Sequence, residues 1–172
     1  MNNPLNAVLP ATDGTSLISV IIPNYNYARF LGACLESLKA QTIEPHRIEV
    51  ILVDDKSTDN SLDVAQSWEK KHPWRNFQIF CTPHIGRPGP VRNIGLRSAQ
   101  GSLLICLDPD DILEPDALRA MAEALENAPH ASLVCTDYIE EKGSDERLIR
   151  VPEPGADTAH LLQNQNPFAS AI

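Results

Sequence analysis

Short apolar runs recur along this chain at LISVIIP (17–23), IEVILVDD (48–55), FQIFCTP (77–83), SLLICLD (102–108) and ASLVCTDYIEE (131–141). Each is rich in aliphatic residues and too short for a buried helix, as expected of strands covered on both faces. Between them the apolar residues fall at helical spacing. In ARFLGACLESLKAQT (28–42) the stripe is Phe30, Leu31, Cys34, Leu35 and Leu38. DNSLDVAQSWEKKH (59–72) follows Ser57 and Thr58, which offer N-caps. GRPGPVRNIGLRSAQG (86–101) opens as a loop, becomes a helix and stops at Gly101. EPDALRAMAEALENA (114–128) carries Pro115 and acidic residues in its first turn. The alternation predicts an α/β fold: a Rossmann-like, mostly parallel sheet with helices on both faces. Past residue 142 the signal weakens, with RLIRVPEP a further strand and DTAHLLQNQ a short helix.

Composition narrows the function classes. A net charge of -9 gives no basic patch for nucleic acid or an anionic membrane. It leaves room for a phosphate ligand that arrives with a divalent cation. Cys34, Cys81, Cys106 and Cys135 form no C-x-x-C pair and sit among apolar residues, so they read as buried, reduced thiols of a cytoplasmic protein. MNNPLNAVLPATDGTS has neither the basic start nor the apolar core of a secretory signal, and residues 1–16 read as a flexible leader. No apolar run approaches the ~20 residues of a membrane helix.

Ligands of parallel α/β sheets bind beyond the carboxyl ends of the strands. That rule places PNYN, DDKS and DPDD on one rim. Asp54 and Asp55 close an aliphatic strand, where a turn and a helix cap need only one Asp. A strand-end carboxylate there can accept hydrogen bonds from a base N–H or a ribose hydroxyl. Asp108, Asp110 and Asp111 crowd another strand tip and repel one another unless a cation is near. Oxygen ligands suit hard cations, and a few carboxylates completed by substrate phosphates suit Mg2+ or Mn2+. His84 and the other histidines read as surface or structural groups, and Trp68 and Trp74 as packing.

The stretches SVIIPNYNYARFLGACLESLKAQT, EVILVDDKSTDNS and GPVRNIGLRSAQGSLLICLDPDDILEPDAL together resemble the N-terminal half of a family 2 glycosyltransferase of GT-A fold. The likeness covers residues 17–141, and 142–172 resembles the incomplete start of an acceptor-side region. The resemblance implies a donor site for a nucleotide-diphosphate sugar, a UDP-sugar above all. Pro23 and Tyr25 match residues lining the base pocket, with Tyr25 stacking on the base. Asp55 matches the carboxylate that binds the base, with Asp54 beside it. Arg92 and Asn93 match a segment near the phosphates and the donor sugar. Asp108, Asp110 and Asp111 match the D-x-D region, with Asp110 and Asp111 touching metal, Mn2+ or Mg2+.

The implied chemistry is inverting transfer to a saccharide, lipid-linked or protein acceptor. The family's general base lies beyond Ile172, and Asp137, Glu140 and Glu141 come too early to replace it. The chain therefore reads as a truncated piece that supplies the donor-binding half and transfers sugar poorly by itself. An exposed face where the other half docks implies self-association, and a longer chain could sit at the inner face of a membrane. The alternative is a non-catalytic nucleotide-sugar-binding domain of a larger assembly. A signalling receiver would place its acidic pair after strand one, and a nucleotidyltransferase would need a glycine-rich loop there. PNYN fits neither.

Overall fold

The computed structural model describes residues 16–128, 130–142 and 145–150. The chain divides after Arg119 into two compact units. In the first, β1 (Ile18–Asn24), β2 (Ile48–Asp54), β3 (Asn76–Cys81) and β4 (Leu103–Cys106) form a parallel sheet in the order β3-β2-β1-β4. Helices α1 (Ala28–Lys39), α2 (Ser61–Glu69) and α3 (Pro88–Ser98) are its crossovers, and α4 (Ala117–Glu126) follows β4. The expected α/β architecture is present, with β1 and β2 buried at every position.

Successive side chains of β1 and β2 point to opposite faces of the sheet, and both faces are covered. On one face Ile51 and Val53 pack with Val91 of α3, and Phe80, Ile85 and Ile94 close around them. Gly95 of α3 lies against Ile21, where an added Cβ would stand 2.5 Å from its Cγ2, so the helix rides close on the sheet. On the other face Val20, Ile22, Val50 and Leu52 have no exposure, which requires a second covering layer. α1 packs on α2 and buries Leu31, Cys34, Leu35 and Leu38. No helix among the described residues is long and apolar enough to cross a membrane.

Several boundaries differ from the sequence reading. α2 starts at Ser61, and its cap is neither Ser57 nor Thr58. Asp59 does that work twice: it accepts the Ser61 N–H at 3.0 Å and the Ala28 N–H of α1 at 2.9 Å. α4 starts at Ala117, because the preceding residues bond to the end of α1 instead. The Gln41 side chain donates to the Glu114 carbonyl at 2.8 Å and accepts the Leu118 N–H at 2.9 Å, and the Thr42 N–H donates to the Pro115 carbonyl at 2.8 Å. α3 ends at Ser98, three residues before Gly101, so the glycine is not its stop and serves another purpose. A Cβ there would meet Ser19 Oγ at 2.5 Å and the Leu17 carbonyl at 2.6 Å, so close approach requires the glycine.

The fifth run also differs. Residues 131–137 form no strand, and Leu133 is exposed. In the second unit β5 (Tyr138–Lys142) pairs antiparallel with β6 (Asp145–Ile149) as a separate ribbon. An apolar run becomes a strand only where a partner supplies its hydrogen bonds. The cysteines are free, but Cys81 and Cys106 are exposed and Cys135 is half-buried, so only Cys34 fits the expectation of a buried thiol. Cys81 and Cys106 lie on β3 and β4, the outer strands of the parallel sheet. The readings of 1–15 as leader and of DTAHLLQNQ as a helix lie outside the described residues.

Candidate functional site

Parallel pairing brings the predicted rim together. Asn24 lies opposite Asp54 in register, and the ladder continues through Asp55 N–H to the Asn24 carbonyl at 2.8 Å. On either side, the Thr82 N–H reaches the Asp54 carbonyl at 2.9 Å and the Leu107 N–H the Ile21 carbonyl at 2.9 Å. PNYN, DDKS, the 82–87 loop and DPDD thus share the carboxyl edge of one sheet.

The two aspartates of DDKS have different jobs. Asp54 has no exposure. It accepts Asn24 Nδ2 at 2.8 Å, Ser57 Oγ at 2.6 Å and the Ser57 N–H at 2.9 Å. It locks the β1 and β2 loops together, helped by Asn26, whose Oδ1 accepts the Thr58 N–H at 2.7 Å. Asp55 instead binds the loop after β3. It accepts Thr82 Oγ1 at 2.6 Å, the Ile85 N–H at 2.6 Å and the Gly86 N–H at 2.7 Å. Burial alone raises the Asp55 carboxyl, but these three donors and His84 outweigh it and hold the group below the ordinary carboxylate value.

At the other end of the rim, Arg92 of α3 places one guanidinium nitrogen 2.6 and 2.8 Å from the two Asp108 oxygens. Arg92 therefore supplies a positive charge where three carboxylates crowd. Its Nε is buried with no hydrogen-bond partner among the described residues. The 108–111 turn closes through the Asp111 N–H to the Asp108 carbonyl at 3.0 Å. Burial, then the charges of Asp108 and Asp110, push the Asp111 carboxyl up to about 6. Burial and the same carboxylates push the Cys34 thiol up to about 12, so it is no nucleophile at neutral pH. Asp108, Asp110 and Asp111 do not converge as a preformed cage, since among the described residues no three acidic, His or Cys side chains are grouped to hold a metal.

Of the other predicted residues, Pro23 is buried at the end of β1, Tyr25 is 40% exposed, and Asn93 is exposed on α3. The sequence reading took His84 for a surface group. Its ring lies against that of Tyr25, tilted by 35° with centroids 4.5 Å apart, and its Nδ1 lies 3.3 Å from Asp55 Oδ2. A contact between residues 59 positions apart leaves no local signal in the sequence.

The glycosyl transferase family 2 model matches residues 19–171. The chain belongs to glycosyl transferase family 2. It is 34% identical over 141 residues to the poly(ribitol-phosphate) beta-glucosyltransferase of Bacillus spizizenii, an alignment covering 81% of this chain and 22% of that protein. Among solved structures it resembles Staphylococcus aureus TarS 1-349 in complex with UDP, with TM-score 0.60, 29% identity, 64% of this chain covered and 32% of that one. It also resembles the mannosyltransferase PcManGT of Pyrobaculum calidifontis in complex with GDP-Man and Mn2+, with TM-score 0.54, 25% identity, and 62% and 31% covered. These likenesses make the fold GT-A. The chain spans between a tenth and about half of the length of the curated relatives it matches.

Proposed function

We propose that this chain is the donor-binding half of an inverting glycosyltransferase, which moves a sugar from a nucleotide-diphosphate sugar, a UDP-sugar first, to an acceptor held by another part of the protein. The observation that carries the reading is the Arg92–Asp108 pair on the rim, beside Asp110 and Asp111. It puts a cation and a second acidic pair where a diphosphate and its metal belong. The neighbours solved with UDP and with GDP-Man and Mn2+ support the same assignment.

The residues present fit a small hard cation. Arg92 occupies Asp108, which leaves Asp110 and Asp111 as an all-oxygen pair whose mutual repulsion a cation relieves. Asp110 and Asp111 would hold Mn2+ or Mg2+, which when bound supplies positive charge against the departing diphosphate. Pro23, Tyr25, Asp54 and Asp55 make the base end, with Asp54 keeping the loops in place. Arg92 and Asn93 face the phosphates and the donor sugar, with the buried Arg92 Nε as a donor awaiting an acceptor. The general base belongs to the acceptor side of the protein, and the acceptor is a saccharide, a lipid-linked saccharide or a protein. Leu104 and Ile112, both exposed, give the isolated chain an apolar surface through which it self-associates. The reduced thiols are in keeping with a cytoplasmic protein.

Titration of the 15N-labelled chain with UDP and Mg2+ tests this site. Amide shifts are expected at Tyr25, Asp55, Gly86, Arg92 and residues 108–111, and not along β5 and β6. Shifts confined to the β5–β6 ribbon, or none, would overturn it.

A further inference from the structure

Asp110 and Asp111 sit on neither a strand nor a helix. Residues 107–116 link β4 to α4 as irregular chain. A metal site needs its ligands held to within about 0.5 Å, so side chains on such a stretch need support from outside it. Pro109 and Pro115 bring no N–H with which to build that support.

Helix α1 supplies it. Cys34, Ser37 and Gln41 stand three and four residues apart, so they share one side of the helix and its end. The Cys34 thiol donates to the Asp108 carbonyl at 3.8 Å, the same carbonyl that closes the acidic turn through the Asp111 N–H. Ser37 Oγ accepts the Leu113 N–H at 3.2 Å and donates to the Cys34 carbonyl at 2.7 Å. Gln41 Nε2 donates to the Ser37 carbonyl at 3.1 Å and to the Glu114 carbonyl, while its Oε1 takes the Leu118 N–H. Ser37 and Gln41 are each only 8% exposed. A buried hydroxyl or amide costs free energy unless it is bonded, and an apolar side chain would pack there without that cost. A clasp that served only α4 would end at Leu118. This one runs back through Leu113 to Asp108, so it grips the chain on both sides of Asp110 and Asp111.

We infer that Ser37 and Gln41 are positioning residues that set the shape of the acidic turn for its cation. They act through the backbone at Leu113, Glu114 and Leu118 and touch neither metal nor donor. This rests on the donor-site reading above.

Calorimetry of UDP with and without Mn2+, beside thermal melts, tests it on wild type, Gln41→Met, Ser37→Ala and Ala65→Gly. Gln41→Met keeps the length and bulk of the side chain and removes the amide. Ser37→Ala removes only the hydroxyl and suits a helix, so it decides the matter if Gln41→Met does not fold. Ala65→Gly destabilises α2, where Ala65 is buried, and lies outside the clasp. Wild type should gain at least about 10-fold in UDP affinity from Mn2+, and Ala65→Gly should keep that gain despite a lower melting temperature. Gln41→Met should cut the gain to about 2-fold and Ser37→Ala to about 5-fold, each leaving metal-free UDP affinity within about 2-fold of wild type. A full gain in Ser37→Ala, a gain lost equally in Ala65→Gly, or an equal loss of affinity with and without Mn2+ would overturn the role of the clasp and leave the donor site standing. A wild type that gains nothing from Mn2+ would overturn the cation reading and this inference with it.

Discussion

Glu49→Ala costs about 3 kcal/mol of folding stability, which lowers the melting temperature by roughly 10 °C in a chain of this size. Glu49 is 1% exposed at the amino end of the sheet, opposite the site. Its carboxylate accepts Ser19 Oγ, the Gln100 N–H at 2.5 Å and the Gly101 N–H at 3.2 Å. Those bonds fasten the junction of α3 and β4 to the centre of the sheet. Without them the Gln100 N–H loses the acceptor it has here, while Gly101 keeps Ser19 Oγ at 2.8 Å. Hydrogen bonds to a charged group contribute about 1.5–3 kcal/mol, and the vacated volume of the buried Glu49 side chain adds to the loss. Glu49→Gln keeps one oxygen and should lose about 1 kcal/mol. Urea denaturation of the two variants at neutral pH decides the matter. An alanine variant within about 0.5 kcal/mol of wild type would mean that the junction holds without the carboxylate.

Asp111→Asn is expected to act in opposite directions on stability and on binding. The folded chain holds the Asp111 proton up to about pH 6, above the ordinary carboxylate range, because burial and the charges of Asp108 and Asp110 oppose its ionisation. The folded state thus binds this proton more tightly than the unfolded state. Wild-type stability falls as pH rises from about 4 to about 6, and the loss is complete above that window. Asparagine carries no such penalty. Allowing for the partial exposure of Asp111, the variant should be about 1 kcal/mol more stable at pH 7.5 and no more stable at pH 4. It should also lose about 10-fold or more in metal-dependent nucleotide affinity, because one of two carboxylate ligands is gone. Denaturation curves at both pH values, with a UDP titration in Mn2+, check the pair of effects. Equal stability at pH 7.5 would mean that the carboxylates do not oppose one another there.

The parts of the fold that could be read from the sequence are those set by burial on two faces. The aliphatic runs of β1 and β2 admit one interpretation, and the parallel order follows from the helices between them. The rim followed from topology alone. What could not be read depends on partners distant in sequence. ASLVC looks like a strand, yet a strand needs a neighbour, and β5 begins only where β6 can pair with it. Gly101 looks like a helix stop, and only the approach of Leu17 and Ser19 shows why no side chain fits. Asp54 and Asp55 are adjacent and identical, but alternation sends one into the β1 loop and the other into the loop after β3. His84 reads as a surface histidine until Tyr25 and Asp55 are found against it. The acidic turn was legible as a site because crowding of charge is local, whereas its pairing with Arg92 crosses from α3 to the end of β4.

The donor site is tested most directly by calorimetric titration of UDP into the wild-type chain and into the Asp110→Ala, Asp111→Ala double variant, each with and without Mn2+. The account predicts that wild type binds UDP at least about 10-fold tighter with Mn2+, and that the double variant, still folded, loses that metal-dependent gain. UDP affinity that ignores Mn2+, or that survives the double substitution unchanged, would contradict it.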